Sequence, residues 1–167
     1  LLDFMVEQKL AAIRGVAGSG KTILALAKAQ EMARKGFRTL FLCYNKPLKE
    51  WIEKALPDDT EGNLVVDNYH GLVADLTFKA KVSFRPEKGK KRDKVFWEEK
   101  APECLEEALM ALGDEHKFDA VIVDEGQDFM PHWWSVLRKI CNKKGEMLLV
   151  ADATQDIYDT AKSWTDE

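Results

Sequence analysis

The sequence predicts a three-layer α/β fold in which helices cover both faces of a mostly parallel sheet. Short apolar runs rich in β-branched and aromatic residues alternate with longer stretches of helical periodicity, as in chains whose parallel strands are joined by crossover helices. A cluster of polar residues follows each apolar run, and ligands of such sheets bind at the carboxyl ends of the strands. The same pattern therefore predicts the architecture and the edge of the sheet that carries a ligand site.

Five apolar runs predict the strands, at residues 11–13, 38–44, 64–66, 120–123 and 147–150. Apolar residues at helical spacing predict the helices around them. These helices cover residues 1–10, 23–35, 48–56, 72–78, 94–112 and 131–141. Pro102 is expected to interrupt the fifth helix, whereas Pro131 suits the first turn of the sixth.

The first strand leads into Gly15-Val16-Ala17-Gly18-Ser19-Gly20-Lys21-Thr22, which fits the phosphate-binding pattern G-x-x-x-x-G-K-[S/T]. Glycines in this pattern let backbone N–H groups close around phosphate oxygens, and the following helix adds its own N-terminal N–H groups. We predict ATP as the ligand, with Lys21 on the β- and γ-phosphates and Thr22 on Mg²⁺. The loop residues predicted to line the phosphates are Gly15, Ala17, Gly18, Ser19 and Gly20. The alternative interpretation is a glycine-rich turn with an incidental lysine.

A second half of the site is predicted where the fourth strand ends in Asp124 and Glu125. Beside a phosphate loop, an acid at a strand end holds Mg²⁺ and a neighbouring carboxylate activates the attacking water. We therefore predict that Asp124 is a metal ligand and Glu125 the general base. Two acids after a strand also occur in ordinary turns, and it is the phosphate loop that favours the catalytic interpretation.

Composition limits the class of protein. The 167 residues suit one domain, and no apolar run approaches the roughly 18 residues of a membrane span. The three cysteines, Cys43, Cys104 and Cys141, are widely spaced without a C-x-x-C pattern, which favours reduced thiols in a cytoplasmic protein over a zinc or disulfide site. The chain begins at Leu1 without an initiator methionine, so we expect it to be part of something longer.

The charge is unevenly distributed. A net charge of −4 does not suggest a nucleic-acid binder. Residues 79–94, however, hold eight Lys and Arg against two acids. Such a segment is either a phosphate-binding strip or a solvated loop, and Pro86 and Gly89 argue against regular structure within it.

Five segments in this order resemble motifs I, Ia, Ic, II and III of UvrD/Rep-type superfamily-one helicases. They are the phosphate loop, Leu-Phe-Leu-Cys-Tyr-Asn-Lys at 40–46, Asn-Tyr-His at 68–70, Val-Asp-Glu-Gly-Gln-Asp-Phe at 123–129 and Ala-Asp-Ala-Thr-Gln-Asp-Ile-Tyr at 151–158. The resemblance spans about residues 8–158. It is greatest to the variant that often follows a nuclease-related domain, which residues 96–99 and 132–134 also resemble.

The resemblance implies roles for further residues. Gln155 would sense the γ-phosphate, acting with Lys21 and Glu125, and Gln8 would contact the adenine. Gln127 and Asp128 would couple the nucleotide site to the DNA path. The residues in positions that touch single-stranded DNA are Tyr44, Asn45, Tyr69 and His70. An aromatic ring there can stack on any base, although buried Tyr and His beside a sheet edge are equally common.

The resemblance also implies the first of two RecA-like domains in a DNA helicase, with ATP and Mg²⁺ as cofactors. Residues 1–167 would form this one domain, with 79–94 as a short basic insertion. The second domain, which supplies an arginine finger in the family, would lie outside it. Ala151 and the stretch 159–161 depart from the family pattern, which usually has Gly and Trp-Arg-Gly there. Two alternatives remain: an NTPase switch without unwinding, and a nucleotide-gated module that binds a partner through a Trp-rich surface.

Overall fold

The computed structural model describes residues 10–16, 18–56, 62–84 and 95–152. They form one five-stranded sheet in which every strand pairing is parallel, in the order β1-β5-β4-β2-β3. The strands are β1 (Leu10–Gly15), β2 (Thr39–Cys43), β3 (Leu64–Asn68), β4 (Phe118–Val123) and β5 (Cys141–Asp152). The predicted α/β fold with a parallel sheet is confirmed.

Five α-helices connect the strands. They are α1 (Lys21–Arg34), α2 (Lys46–Ala55), α3 (Tyr69–Lys79), α4 (Ala101–Leu112) and α5 (Pro131–Ile140). A π-helical turn, Phe96–Lys100, leads directly into α4, and 3₁₀ turns cover Asp114–His116 and Gly126–Asp128. No helix in the described ranges is both long enough and apolar enough to cross a membrane.

The sheet has a packed core on each face. Side chains alternate along a strand, so Leu40 and Leu42 of β2 point into one core while Phe41 and Cys43 point into the other. Helices α3, α4 and α5 cover the first core, and α1 and α2 cover the second. Strand β2 is buried on both faces, which is why its sequence is a continuous apolar run. The three cysteines are buried and form no disulfide.

The direction of the chain across the sheet determines where the functional segments meet. The chain first runs outward from β1 to β2 and β3, then returns to place β4 and β5 between β1 and β2. Parallel crossovers are right-handed, so reversing the direction moves the later helices to the opposite face of the sheet. The carboxyl ends of β1, β5 and β4 consequently lie side by side, and Gly15 pairs with Asp152 there.

Several element boundaries differ from the sequence prediction. Strand β3 extends through Asp67 and Asn68, which were expected to follow it. Strand β5 begins at Cys141 rather than at residue 147, and its first half is largely polar and only partly buried, so it shows no apolar run. The predicted helix at 1–10 cannot include Leu10, which begins β1; residues 1–9 lie outside the described ranges.

Pro102 does not interrupt the helix as predicted. It is the second residue of α4, which continues without a break from the helical residues before it. The irregularity lies just before it, in the five residues of the π-helical turn Phe96–Lys100. The chain therefore passes from one helical form to another at this point instead of breaking.

Candidate active site

The loop after β1 turns sharply into α1. Gly18 and Gly20 have φ angles of 75° and 77°, in the left-handed region that glycine adopts without strain. The Ser19 N–H donates to the carbonyl of Val16 at 3.2 Å, which closes the turn. Gly20 caps α1, so Lys21 and Thr22 begin the helix, where unpaired N–H groups favour an anion.

Lys21 lies across this loop. Its ammonium group donates to the carbonyls of Gly15 at 2.7 Å and Val16 at 2.8 Å. A Cβ atom on Gly15 would stand 2.9 Å from Ser19 Oγ and 3.3 Å from Lys21 Cδ, so glycine is needed for this close approach. The loop thus holds one positive charge beside backbone N–H groups, an arrangement suited to phosphate oxygens. Ala17, also predicted to line the phosphates, lies outside the described residues.

Asp124 stands at the end of β4 with only 1% of its surface exposed. Burial raises the pKa of its carboxyl, while a hydrogen bond from the Thr22 hydroxyl lowers it. Its Oδ2 atom has no hydrogen-bond partner in the described part of the chain. A buried carboxylate rarely keeps an unsatisfied oxygen unless a ligand or ion completes it.

The residues present fit Mg²⁺. This ion prefers oxygen ligands and is commonly held by one or two protein groups together with substrate phosphates and water. The Thr22 hydroxyl and the Asp124 carboxylate meet beside the phosphate loop and supply such a pair. Across the described ranges, no group of three or more His, Cys, Asp or Glu side chains could form a metal cage, and Mg²⁺ needs none here.

Glu125, the predicted general base, has an uncommon backbone conformation. Its φ angle is 53°, in the left-handed region that few residues other than glycine adopt. The 3₁₀ turn Gly126–Asp128 follows it, and the Asp128 N–H donates to the Glu125 carbonyl at 2.9 Å. A Cβ atom on Gly126 would stand 2.0 Å from Cδ1 of Leu149 in β5, so the turn lies directly against the sheet.

Gln127 ties this turn to the neighbouring strand. Its Nε2 group donates to Oε2 of Glu125, and its Oε1 atom accepts from the N–H of Asp152 at 3.1 Å. One side chain therefore joins the predicted base to the end of β5, where the motif III segment starts. Asp128 is exposed. The pKa of its carboxyl is raised, mainly by partial desolvation and to a lesser extent by the nearby charge of Glu125.

Tyr44 and Asn45, the two residues after β2 that were predicted to contact DNA, differ in how far their side chains are already engaged. Tyr44 is 39% exposed, and one side of its ring approaches Phe129, with the centroids 6.3 Å apart. Asn45 is exposed, but its Oδ1 atom accepts from the N–H of Leu48 at 2.8 Å and caps α2. Tyr44 is thus available for contact with a ligand, whereas the Asn45 side chain already has a structural role.

The position of Tyr69, which was predicted to contact DNA, gives no support to that role. Its side chain is fully buried, and its ring stacks on that of Trp133 with centroids 3.7 Å apart and planes at 8°. His70 is half-buried, with its ring edge-on to Trp97 at 4.1 Å. Burial lowers the pKa of His70, which disfavours the charged form that would attract phosphate.

The Asn-Tyr-His segment is instead explained by local structure that the sequence analysis missed. Asn68 Oδ1 accepts from the N–H of Gly71 at 2.9 Å and caps α3. Lys49 donates to Oδ1 of Asp67 at 2.7 Å, and a Cβ atom on Gly71 would stand 2.3 Å from that same oxygen. An Asn directly before a helical stretch was the available signal for the cap, whereas nothing in the sequence pairs Lys49 with Asp67, 18 residues later.

Three further predictions fall outside the described residues: Gln8, Gln155 and the basic residues from 85 to 94. At the start of the basic segment, Lys79 forms an exposed ion pair with Asp75 at 2.7 Å. The roles of Gln8, Gln155 and this segment therefore stay predictions.

Comparison with known proteins adds one finding. A family model described as an AAA domain matches residues 2–161, and this domain is found in UvrD/Rep-like helicases. The matched range includes the phosphate loop, the Asp124–Glu125 pair and every strand of the sheet. A comparison with curated proteins gives no significant match.

Proposed function

The chain belongs to the AAA-domain family whose model matches residues 2–161, and from this premise we propose that it is an ATP-binding motor domain of the UvrD/Rep kind that acts on single-stranded DNA. One observation carries the proposal. The Thr22 hydroxyl meets the buried Asp124 carboxylate beside the phosphate loop, and Asp124 keeps an unsatisfied oxygen there. A turn with no role in binding would have neither a buried carboxylate nor a carboxylate oxygen without a partner at this edge of the sheet.

The site residues would divide the chemistry of ATP hydrolysis among them. Mg²⁺ supplies charge neutralisation on the phosphates when it is bound, and Thr22 and Asp124 are the residues that would hold it. Lys21 would bind the β- and γ-phosphates. Water attacks the γ-phosphorus, the bond from that phosphorus to the bridging oxygen of ADP breaks, and the proton of the water passes to the Glu125 carboxylate. Gln127 holds that carboxylate in place.

These residues surround the phosphates from one side only. In the UvrD/Rep-type family, arginines of a second RecA-like domain neutralise the charge that develops on the opposite side, and the resemblance implies the same arrangement here. An analogous arginine contributes about 10³–10⁵-fold to the rate where it has been measured. We therefore expect the 167-residue chain alone to bind ATP but to hydrolyse it slowly.

Single-stranded DNA is proposed as the partner because of Tyr44. This exposed ring follows β2, whose Leu42 pairs with Val123 at the end of β4, next to Asp124. A base stacked on Tyr44 would thus lie one strand away from the metal ligand. The rival hypothesis of a Trp-rich docking surface has less support, since Trp133 and Trp134 are each only 1% exposed and, of these three tryptophans, Trp51 alone is exposed, at 56%.

The test is binding of a fluorescent oligothymidylate to the chain at low salt, with Tyr44→Ala compared against Phe37→Ala. Phe37 is a matched control because it is 41% exposed and precedes β2 at the opposite edge of the sheet. We expect Tyr44→Ala to weaken binding by about 5- to 150-fold, the value of one base stack, and Phe37→Ala to have no effect. Equal losses in both variants, or no binding by the wild type, would reject DNA as the partner.

A further inference from the structure

We propose that Phe129 is a positioning residue that transmits the state of the nucleotide site to Tyr44 and to the Tyr69–His70 pair. The proposal rests on the proposed function, because it requires nucleotide binding near Glu125. It assigns a role to a residue that neither the phosphate pattern nor the predicted DNA contacts include.

The first step is the link between Glu125 and Phe129. The 3₁₀ turn between them is closed by hydrogen bonds from Asp128 N–H to the Glu125 carbonyl at 2.9 Å and from Phe129 N–H to the Gly126 carbonyl at 3.2 Å. Gly126 lies against Leu149 with no room for a side chain. The turn is short and closely packed, so it has little room to deform when Glu125 moves. A displacement of Glu125 therefore also displaces Phe129.

The second step is the packing of the Phe129 ring. The side chain is 3% exposed and makes edge or tilted contacts with four other aromatic rings. Its centroid lies 5.4 Å from that of Trp134, 5.6 Å from that of Trp133, and 6.3 Å from those of Tyr44 and Tyr69. These separations fall in the range that aromatic pairs favour, so a shift of Phe129 disturbs all four contacts.

The third step leads to His70. Tyr69 stacks on Trp133, and the Trp133 Nε1 group donates to the Trp97 carbonyl at 2.8 Å. His70 is edge-on to Trp97 at 4.1 Å and to Trp133 at 5.7 Å. The hydroxyl of Tyr69 has no hydrogen-bond partner among the described residues, so ring contacts alone fix the position of this side chain. A ring held only by packing follows its neighbours when they move.

The experiment labels the chain with 3-fluorotyrosine, which introduces fluorine at only three positions. The ¹⁹F resonances of Tyr44 and Tyr69 are assigned with Tyr44→Phe and Tyr69→Phe, and ATP–Mg²⁺ binding is measured separately by calorimetry. Phe129→Leu is compared with Phe118→Leu. Phe118 is equally buried and belongs to the same core, but it begins β4, whereas Phe129 follows the 3₁₀ turn beyond the other end of that strand.

We expect ATP–Mg²⁺ to shift the Tyr44 and Tyr69 resonances in the wild type and in Phe118→Leu. In Phe129→Leu the ATP affinity should stay within about twofold, as for sites without shared contacts, while the shift at Tyr44 is lost. If Phe129→Leu is poorly folded, Phe129→Met keeps the volume without the ring and should give the same result.

Three results would overturn the proposal: an unchanged shift at Tyr44 in Phe129→Leu, equal loss of the shift in Phe118→Leu, or ATP binding by the wild type without any shift. A wild-type chain that binds no ATP would instead reject the proposed function. A chain that shows the shift but binds no DNA would reject only the DNA partner, and the role of Phe129 would stand.

Discussion

The carboxyl edge of the sheet has two halves that are held together by different forces. At the ends of β1, β4 and β5, polar groups converge: Lys21 on loop carbonyls, Thr22 on Asp124, and Gln127 between Glu125 and Asp152. At the ends of β2 and β3, aromatic rings pack instead, with Tyr69 stacked on Trp133 and Phe129 beneath Tyr44. We call these the polar half and the aromatic half.

Each half contains a buried polar atom without a hydrogen-bond partner in the described ranges, but only one of these two atoms indicates a ligand site. Asp124 Oδ2 lies beside the Thr22 hydroxyl and the phosphate loop, where a cation can complete it. The Tyr69 hydroxyl lies inside a ring cluster with no such neighbours, and burial raises the pKa of this phenol. An unsatisfied atom therefore indicates a site only when further ligands surround it. The predictions below separate these two cases.

The largest effect is expected from Glu125→Gln in the polar half. An amide cannot accept a proton from water, so hydrolysis should fall by about 10²–10⁴-fold while ATP–Mg²⁺ binding persists. Single-turnover hydrolysis with the chain in excess over radiolabelled ATP measures this loss despite slow turnover. Glu50→Gln, on the exposed side of α2, is the control and should behave as the wild type. An active Glu125→Gln chain would move the general-base role to another residue.

Asp124→Asn should mainly change the dependence on Mg²⁺. The substitution keeps the shape of the side chain but removes the charge from the unsatisfied oxygen, so we expect the Mg²⁺ concentration for half-maximal ATP binding to rise about 10- to 100-fold. Calorimetric ATP titrations over a range of Mg²⁺ concentrations give this value. If the Mg²⁺ requirement is unchanged, Asp124 is not a metal ligand. Its unpaired oxygen would then indicate no ligand site, as is the case for the Tyr69 hydroxyl.

The smallest effect is expected from Tyr69→Phe in the aromatic half. Removing a buried, unpaired hydroxyl while keeping the ring should raise the free energy of unfolding by about 1 kcal/mol. Urea unfolding measures the change, and ATP binding should not respond. A loss of stability would show that the hydroxyl has a partner in solution, and weakened ATP binding would place Tyr69 in the polar half.

The two halves also differ in how well the sequence predicts them. The phosphate loop and the acids after β4 depend on local backbone requirements, such as the positive φ angles of Gly18 and Gly20, and these leave a recognisable pattern. Tyr44 and Tyr69 look alike in the sequence, since Tyr44 ends one predicted strand and Tyr69 comes shortly after another. Tyr69 is buried against Trp133 of α5, whereas Tyr44 stays exposed beside Phe129, and no local pattern encodes these contacts.

The same reason explains the errors in the fold. The existence and order of the strands follow from apolar runs, but the first half of β5 is polar and is a strand only because β4 lies beside it. Pro102 indicates an irregularity in this helix, but nothing in the sequence shows that it takes the form of a π-helical turn. Glycine is required at position 126 because Leu149 packs against it, and at position 71 because Asp67 does. Nothing in the sequence marks either pair as neighbours.

The central claim is that the loop after β1 binds ATP through Lys21, and calorimetric titration with ATP–Mg²⁺ tests it most directly. Lys21→Ala removes a charge-assisted contact to phosphate and should weaken binding by about 10- to 100-fold or more without unfolding the chain. Lys35→Ala, at the other end of α1, removes an exposed ion pair with Glu31, far from the loop, and should bind as the wild type does. Wild-type affinity in Lys21→Ala would contradict the account.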